Sequence, residues 1–213
     1  VARPVASDHD SKSRTILKAA AKLFASQGFD RTSMSEIATA CGVSKALVYH
    51  YYANKDQLLF EIIRAHLVDL VAASAVDSTL APRARLAAMI SRLLEAYQHA
   101  DEEHQIQISD MKRLPDEKKA ELVGLERVLV RAFSDALAGI EPALATRPEL
   151  LKPMTMNLFG MLNWKFMWFR ENGPVSHEAF GAMVMSTIEA GAAEVARTAP
   201  RRDDGPRPRI AKL

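Results

Sequence analysis

Apolar residues in this chain recur at steps of three and four, and no stretch of any length alternates apolar with polar residues. This regularity limits the fold more than any other feature, because a period near 3.6 belongs to amphipathic helices and a period of two to strands. The expected fold class is all-α, with about nine helices. The ten prolines and nine glycines fall mostly between the periodic stretches and act as punctuation. With 213 residues, 48% of them apolar, the chain can bury a substantial core without disulfides. Its one cysteine, Cys41, excludes an intramolecular disulfide framework and fits a reducing compartment. No run approaches the roughly 18 apolar residues of a membrane span, and residues 1–13 lack the apolar core of a secretory signal. A cytoplasmic location with no membrane partner is expected.

The net charge of +2 is unevenly placed: +4 over residues 1–55, −5 over 56–198 and +3 over 199–213. A basic first quarter on an acidic body points to a polyanion at the N-terminal end, although ordinary scatter also produces segment charges of this size.

The first helix is expected from about Ser11 to Gln27, with Ile16, Ala19, Ala20, Leu23 and Phe24 as its apolar stripe. Gly28 stops it, and Phe29 can fold back on the last turn. Ser33 and Glu36 have the spacing of a capping box for a short second helix that ends at Gly42. Ser44 caps a third helix running to Tyr52, and Asn54 opens a fourth that reaches about Ala73. Two short helices joined by a tight turn, within a set of three, make a helix-turn-helix, whose second helix enters the major groove in DNA-binding modules. The bland alternative is that these helices simply belong to an all-α core.

Val48 and Tyr52 sit at i, i+4 and should face inward toward Val43, Ile37 and Leu58. Lys45, Ala46, Tyr49 and His50 fall on the opposite face, beginning at Ser44, and offer groups for phosphates, base edges and a thymine methyl. Lys55 is an odd residue for the first turn of a helix on dipole grounds, and a phosphate bound there would account for it. Arg31, Thr32 and Ser33 could bond phosphate at the start of the second helix.

Residues 20–59 read AAKLFASQGFDRTSMSEIATACGVSKALVYHYYANKDQLL. This stretch resembles the DNA-binding domain of TetR-family transcriptional regulators through its GF-x-x-TSM, IA-x-x-x-GVS, YHYY and NK-x-x-LL segments. Tyr52 stands where the family usually has Phe, and Ala46 where it often has Gly. The resemblance implies an all-helical homodimer in which Thr32, Lys45, Tyr49, His50 and Lys55 contact a double-stranded DNA operator. It also implies a helical ligand-binding and dimerisation domain, whose last two long helices form a four-helix bundle with the partner's pair.

In the second half, the eighth helix is expected from about Glu149 to Arg170. It is apolar on most sides and so should be buried all round. A ninth is capped by Ser176. The segment NWKFMWFRENGPVS, residues 163–176, is similar to the NW-x-x-x-W-(F/Y)-R-x-x-GP-x-S segment of regulators of fatty-acid, phenylacetate and sterol-ring catabolism, with Glu171 where that subgroup often has Pro. The resemblance implies an acyl-CoA thioester as effector. A thioester needs an apolar chamber, cations for phosphates and a flat face for adenine. Trp164 and Trp168 at i, i+4 supply a face. Lys112, Arg113, Lys165 and Arg170 supply cations, and Met111, Met161, Phe166 and Met167 an adaptable chamber. The alternatives are that the tryptophans are core or dimer-interface residues, or that the effector is a non-CoA hydrophobic ligand such as a drug or an aromatic acid.

No metal-ligand pattern, phosphate loop or dinucleotide fingerprint occurs, and Ser109 with Lys112 forms only an isolated S-x-x-K. The chain is expected to be no enzyme and to need no cofactor. The expected organisation is a flexible arm (1–10), a helix-turn-helix domain (11–53), a ligand-binding and dimerisation domain (54–198) and a disordered basic tail (199–213).

Overall fold

The computed structural model describes residues 5–98, 100–170 and 172–200. Ten α-helices follow one another: α1 (Val5–Gln27), α2 (Met34–Cys41), α3 (Lys45–Tyr51), α4 (Lys55–Ser74), α5 (Pro82–Tyr97), α6 (Asp101–Asp110), α7 (Asp116–Ile140), α8 (Pro142–Ala145), α9 (Pro148–Asn163) and α10 (His177–Thr198). Short 3-10 turns follow α6 (Met111–Arg113) and α9 (Lys165–Met167). The described residues contain no strand, so the fold is all-α. The tenth helix is α8, a single turn inside the loop expected around residues 139–148. From residue 201 on, the expected tail lies outside the described residues, as does Glu171.

The first three helices form where the sequence caps them. Gly28 adopts φ +92°, and its N–H bonds the Phe24 carbonyl at 3.0 Å. The Phe29 ring folds back to 5.1 Å from that of Phe24. At the start of α2 the Ser33 hydroxyl accepts the Glu36 N–H (3.2 Å), while the Glu36 carboxylate accepts the Ser33 N–H (2.7 Å). This exchange satisfies two helix-end donors at once. Gly42, at φ +67°, ends α2, and the Ser44 hydroxyl starts α3 by accepting the Leu47 N–H. The module's core is Ile16, Ala20, Phe24, Ile37, Val48, Tyr52 and Leu58, all buried. One boundary here differs from expectation. Helix α1 begins at Val5, so the stretch expected as a flexible arm is helical from that residue. No glycine or proline interrupts residues 5–27.

Helix α4 joins the halves of the molecule. It packs on α1 and also on α5, α6 and α7, and Leu58, Leu59, Ile62, Ile63, Leu67 and Leu70 are all buried along it. Helix α9 departs most from the sequence reading. It stops at Asn163 and is not buried all round, because Trp164 and Trp168 are 58% and 53% exposed. The 3-10 turn re-aims the aromatic run. Phe166 meets the His104 ring at 5.5 Å, and Trp168 and Phe169 meet Phe180 of α10 at 5.5 and 5.9 Å. One straight helix would spread these rings about 100° apart per residue and could not serve both neighbours. Small residues of α10 serve intrachain packing in part. A side chain at Gly181 would press on Leu94 of α5, and Ala192 is fully buried.

Candidate nucleic-acid interface and ligand chamber

Helix α3 is held from below by Val48, fully buried, and by Tyr52, whose hydroxyl lies 2.7 Å from the Ser13 hydroxyl of α1. Anchoring that face fixes the other. Lys45, Ala46, Tyr49 and His50 are exposed together, Tyr49 at 45%, and the Lys45 ammonium lies 5.7 Å from the Tyr49 ring. A seven-residue helix is about 10 Å long and fits a major groove about 12 Å wide. Ser33 and Ser44 are exposed at the starts of α2 and α3. Their oxygens each accept a capping N–H, which leaves the hydroxyl protons to donate outward. Arg31 is also exposed.

Two expected contacts are placed differently. Thr32 is 1% exposed. Its hydroxyl donates to the Gly28 carbonyl (3.0 Å) and accepts from the Gln27 amide (3.2 Å), so its capacity is spent inside the turn. The Lys55 ammonium donates to the carbonyls of Phe29 (2.8 Å) and Asp30 (3.3 Å) and lies 4.6 Å from the Phe29 ring. The α1–α2 turn thus supplies the negative partner that the sequence reading gave to a phosphate.

The expected ligand residues are not brought together. Met111, Lys112 and Arg113 form the turn after α6, where the Arg113 guanidinium reaches Asp110 (2.7 Å) and Asp30 (2.9 Å) and stands 5.6 Å from the Phe29 ring. Arg113 therefore braces the end of α6 against the α1–α2 turn. Met161, Trp164 and Trp168 line an open groove of about 760 Å³ between α9 and α10, with Phe180, Ile188 and Gly191 opposite. Lys165 is buried, its ammonium 4.7 Å from the Phe169 ring, and Arg170 is exposed. The Ser109 hydroxyl is taken up by the Gln105 carbonyl (2.9 Å) and the Asp110 carboxylate (2.7 Å).

A group that sequence reasoning missed lies in the interior. His66 of α4 and His104 of α6 are buried, with His66 Nε2 3.3 Å from His104 Nδ1. The Tyr97 hydroxyl donates to Asn163 Oδ1 at 2.7 Å, and the Gln107 amide donates to Glu126 at 2.8 Å. Burial, which penalises the charged imidazolium, pushes His66 down to about 3, assisted by the neighbouring His104. It pushes His104 down to about 4, with the Asn163 backbone carbonyl acting in the opposite sense. Burial also raises the Tyr97 phenol well above its ordinary range. The pair is neutral at pH 7. Tyr97, His104, Gln107, Glu126 and Asn163 line a chamber of about 170 Å³, completed by Leu67, Leu70, Leu129, Val130, Met156 and Phe159. The signal for this cluster was a histidine within an apolar helical stripe, Ile62, Ile63, His66, Leu67, Leu70.

Residues 16–62 match the family model of bacterial regulatory proteins, tetR family, and residues 79–192 match that of the Tetracyclin repressor-like C-terminal domain. The transcriptional repressor KstR2 of Mycobacterium tuberculosis is 26% identical over 192 residues, covering 88% of this chain and 96% of that protein. The transcriptional regulator BetI of Rhizobium meliloti is 38% identical over 91 residues, covering 42% of this chain and 45% of that protein. Among solved structures, a TetR-family regulator from Bordetella parapertussis superposes with a TM-score of 0.76 at 30% identity, over 83% of this chain and 93% of that one. AibR, solved in complex with isovaleryl coenzyme A and operator DNA, superposes with a TM-score of 0.70 at 25% identity, over 83% and 97% of the two chains.

Proposed function

The chain belongs to the tetR family of bacterial regulatory proteins, and on that premise we propose that it is a ligand-responsive transcriptional repressor, which binds a palindromic operator as a homodimer and is released by an acyl-CoA thioester. The observation that carries the DNA-binding half is the face of α3. Lys45, Tyr49 and His50 project from a helix capped at its start and anchored by a fully buried valine. In this reading residues 11–53 form the DNA module and 54–198 the ligand-binding and dimerisation part. Arg31, Ser33 and Ser44 meet phosphates, while Lys45, Ala46, Tyr49 and His50 meet base edges and flanking phosphates. Two such helices, one per protomer, would read half-sites about 34 Å apart or a multiple of that.

The open face of α9 and α10 supports the dimer. Trp164, Met167, Trp168 and Met183 are each more than half exposed on one protomer, which is unusual for residues this apolar and is relieved by a partner's helix pair. For the effector, the support is the likeness to AibR with isovaleryl coenzyme A bound and to the repressor KstR2. The α1–α2 turn gives the coupling a route. Lys55 at the start of α4 and Arg113 at the end of α6 grip Phe29 and Asp30 from two sides. A shift of α6 on effector binding would turn the DNA module through this grip. Such coupling amounts to about 1–3 kcal/mol, and near-complete switching to about 5.5 kcal/mol.

The test is to select binding sites from a random duplex pool with the full-length protein, then to measure affinity against salt with and without acyl-CoA thioesters. A palindromic site bound with strong salt dependence and released by a thioester is the expected result. DNA affinity without salt dependence or sequence preference would overturn the regulator reading. Operator affinity unchanged at thioester saturation would overturn the effector reading.

A further inference from the structure

Two buried polar atoms in the interior chamber lack a well-formed hydrogen bond: Gln107 Oε1, and His104 Nε2, which has only the Asn163 backbone carbonyl nearby. Native interiors rarely leave such atoms unpaired, and a buried, unpaired polar atom marks either a trapped water or the place of a ligand group. The chemistry of the two atoms narrows what fits. The amide nitrogen of Gln107 already donates to Glu126, so its oxygen faces the chamber as an acceptor that needs a donor. His104 Nδ1 is engaged with His66, so Nε2 offers an N–H or a lone pair according to the tautomer of the pair. A hydroxyl answers both needs, because it donates and accepts. No lysine or arginine lines the chamber and the Glu126 carboxylate does, so a carboxylate group would meet repulsion with no counterion. Size sets a further limit. A cavity of about 170 Å³ is close to one that holds a benzene ring, so it admits about six to eight non-hydrogen atoms.

The mouth of the chamber leads somewhere specific. Glu126, Val130 and Met156 line both the chamber and an open groove of about 640 Å³ between α7 and α9. This groove carries Arg127 and Arg131 of α7 and Lys152 of α9, together with Glu126 and Asp135 of α7, and among the described residues no ion pair joins the three cations to either carboxylate. Glu126 is already occupied with Gln107. Cations without ion-pair partners beside a chamber mouth suit a ligand with an anionic, phosphate-bearing end.

We infer that this chamber takes the acyl end of the effector, selecting a short, uncharged acyl group that bears a hydroxyl, while the adjoining groove holds the phosphates of the same molecule. The inference rests on the thioester reading above and narrows it to one class of acyl group. It also places ligand contact on α6 beside His104 and Gln107, six residues or more before Arg113.

The full-length protein would be titrated calorimetrically with 3-hydroxybutyryl-CoA, butyryl-CoA, succinyl-CoA and palmitoyl-CoA. In parallel, its histidine imidazole resonances would be followed on addition of 3-hydroxybutyramide, a small uncharged probe without coenzyme A. The expected result is about tenfold tighter binding of the hydroxylated thioester than of butyryl-CoA, in keeping with one buried hydrogen-bond pair, and still weaker binding of the other two. Gln107→Leu should erase that preference, so that the hydroxylated and the plain thioester bind alike. Arg131→Ala should weaken all the thioesters alike. Thioesters that bind without preference, or palmitoyl-CoA binding as well as the hydroxylated one, would overturn the inference and leave the thioester reading standing. If no thioester binds but the amide probe shifts the His104 resonance saturably, the thioester reading fails and the chamber assignment survives without its groove. If neither binds, the chamber holds only water and the inference is wrong.

Discussion

Lowering the pH from 7 to about 5 should destabilise this protein by a large fraction of its folding free energy, and the buried histidine pair should account for most of the loss. In the folded chain His66 is held down to about 3 and His104 to about 4, against an ordinary value of 6.5. At pH 5 an unfolded imidazole gains about 2 kcal/mol from taking up its proton, whereas each folded imidazole gains almost nothing. The unfolded state therefore binds more protons below pH 6.5. Stability is fully present above that value and is lost as pH falls toward the folded pKa values. The two groups together give a loss of about 4 kcal/mol, out of a typical total of about 5–15 kcal/mol. Glu103 works against the trend. Burial raises its carboxyl, so its contribution is present at low pH and lost as pH rises through its folded value. The measurement is urea unfolding at pH 7, 6 and 5, at constant protein concentration because the stability of the proposed dimer would depend on it. The same series on His66→Gln/His104→Gln, which keeps hydrogen-bonding amides but nothing that titrates, should be much flatter. A wild-type stability that does not change between pH 7 and 5, or a double variant as acid-sensitive as the parent, would show that the pair is not buried and neutral as the structure places it.

Three further outcomes are expected. Lys45→Ala and Tyr49→Ala should each weaken operator binding by about 1–3 kcal/mol in a polarisation assay, and the lysine change should also lower the salt slope by about one; unaltered affinity for both would remove α3 from the interface. Asp30→Asn should change thermal stability by no more than about 1 kcal/mol, since its bridge to Arg113 is largely exposed, yet it should reduce effector-induced release of DNA. Full release in that variant would exclude the α1–α2 turn as the link. Trp164→Ser with Trp168→Ser should shift the protein from dimer to monomer in sedimentation velocity, and a persisting dimer would place the interface elsewhere.

How far the sequence could be read depended on whether the relevant physics is local. The Ser33–Glu36 box, the Gly28 and Gly42 turns and the Ser44 cap are set by residues three or four positions apart, and each appears as its spacing implied. The exposed face of α3 was legible for the same reason, since a seven-residue helix anchored by Val48 has one outward side. The internal partners of Lys55 and Arg113 were not legible, because Phe29 and Asp30 are 25 residues or more away along the chain and include backbone carbonyls, which leave no trace in a sequence. The interior chamber was illegible on the same grounds. His66 and His104 are 38 residues apart, and Tyr97 and Asn163 are 66 apart. His66 stands out within the apolar stripe of α4, but His104 lies in the mostly polar α6 and reads there as one polar residue among many.

These two positions share a physical basis. Sequence reasoning saw cations at Lys55 and Arg113 and supplied external phosphates, because an unpaired cation asks for an anion. The fold supplies internal acceptors instead, and both sets belong to one short turn of the DNA module. A turn gripped by the first residue of α4 and by the turn that ends α6 cannot keep its position if those helices move apart. In the proposed coupling, these two residues would lie where the two halves of the protein exchange free energy. That role demands partners within the chain, and it accounts for why the cations are paired while the α3 face beside them remains open.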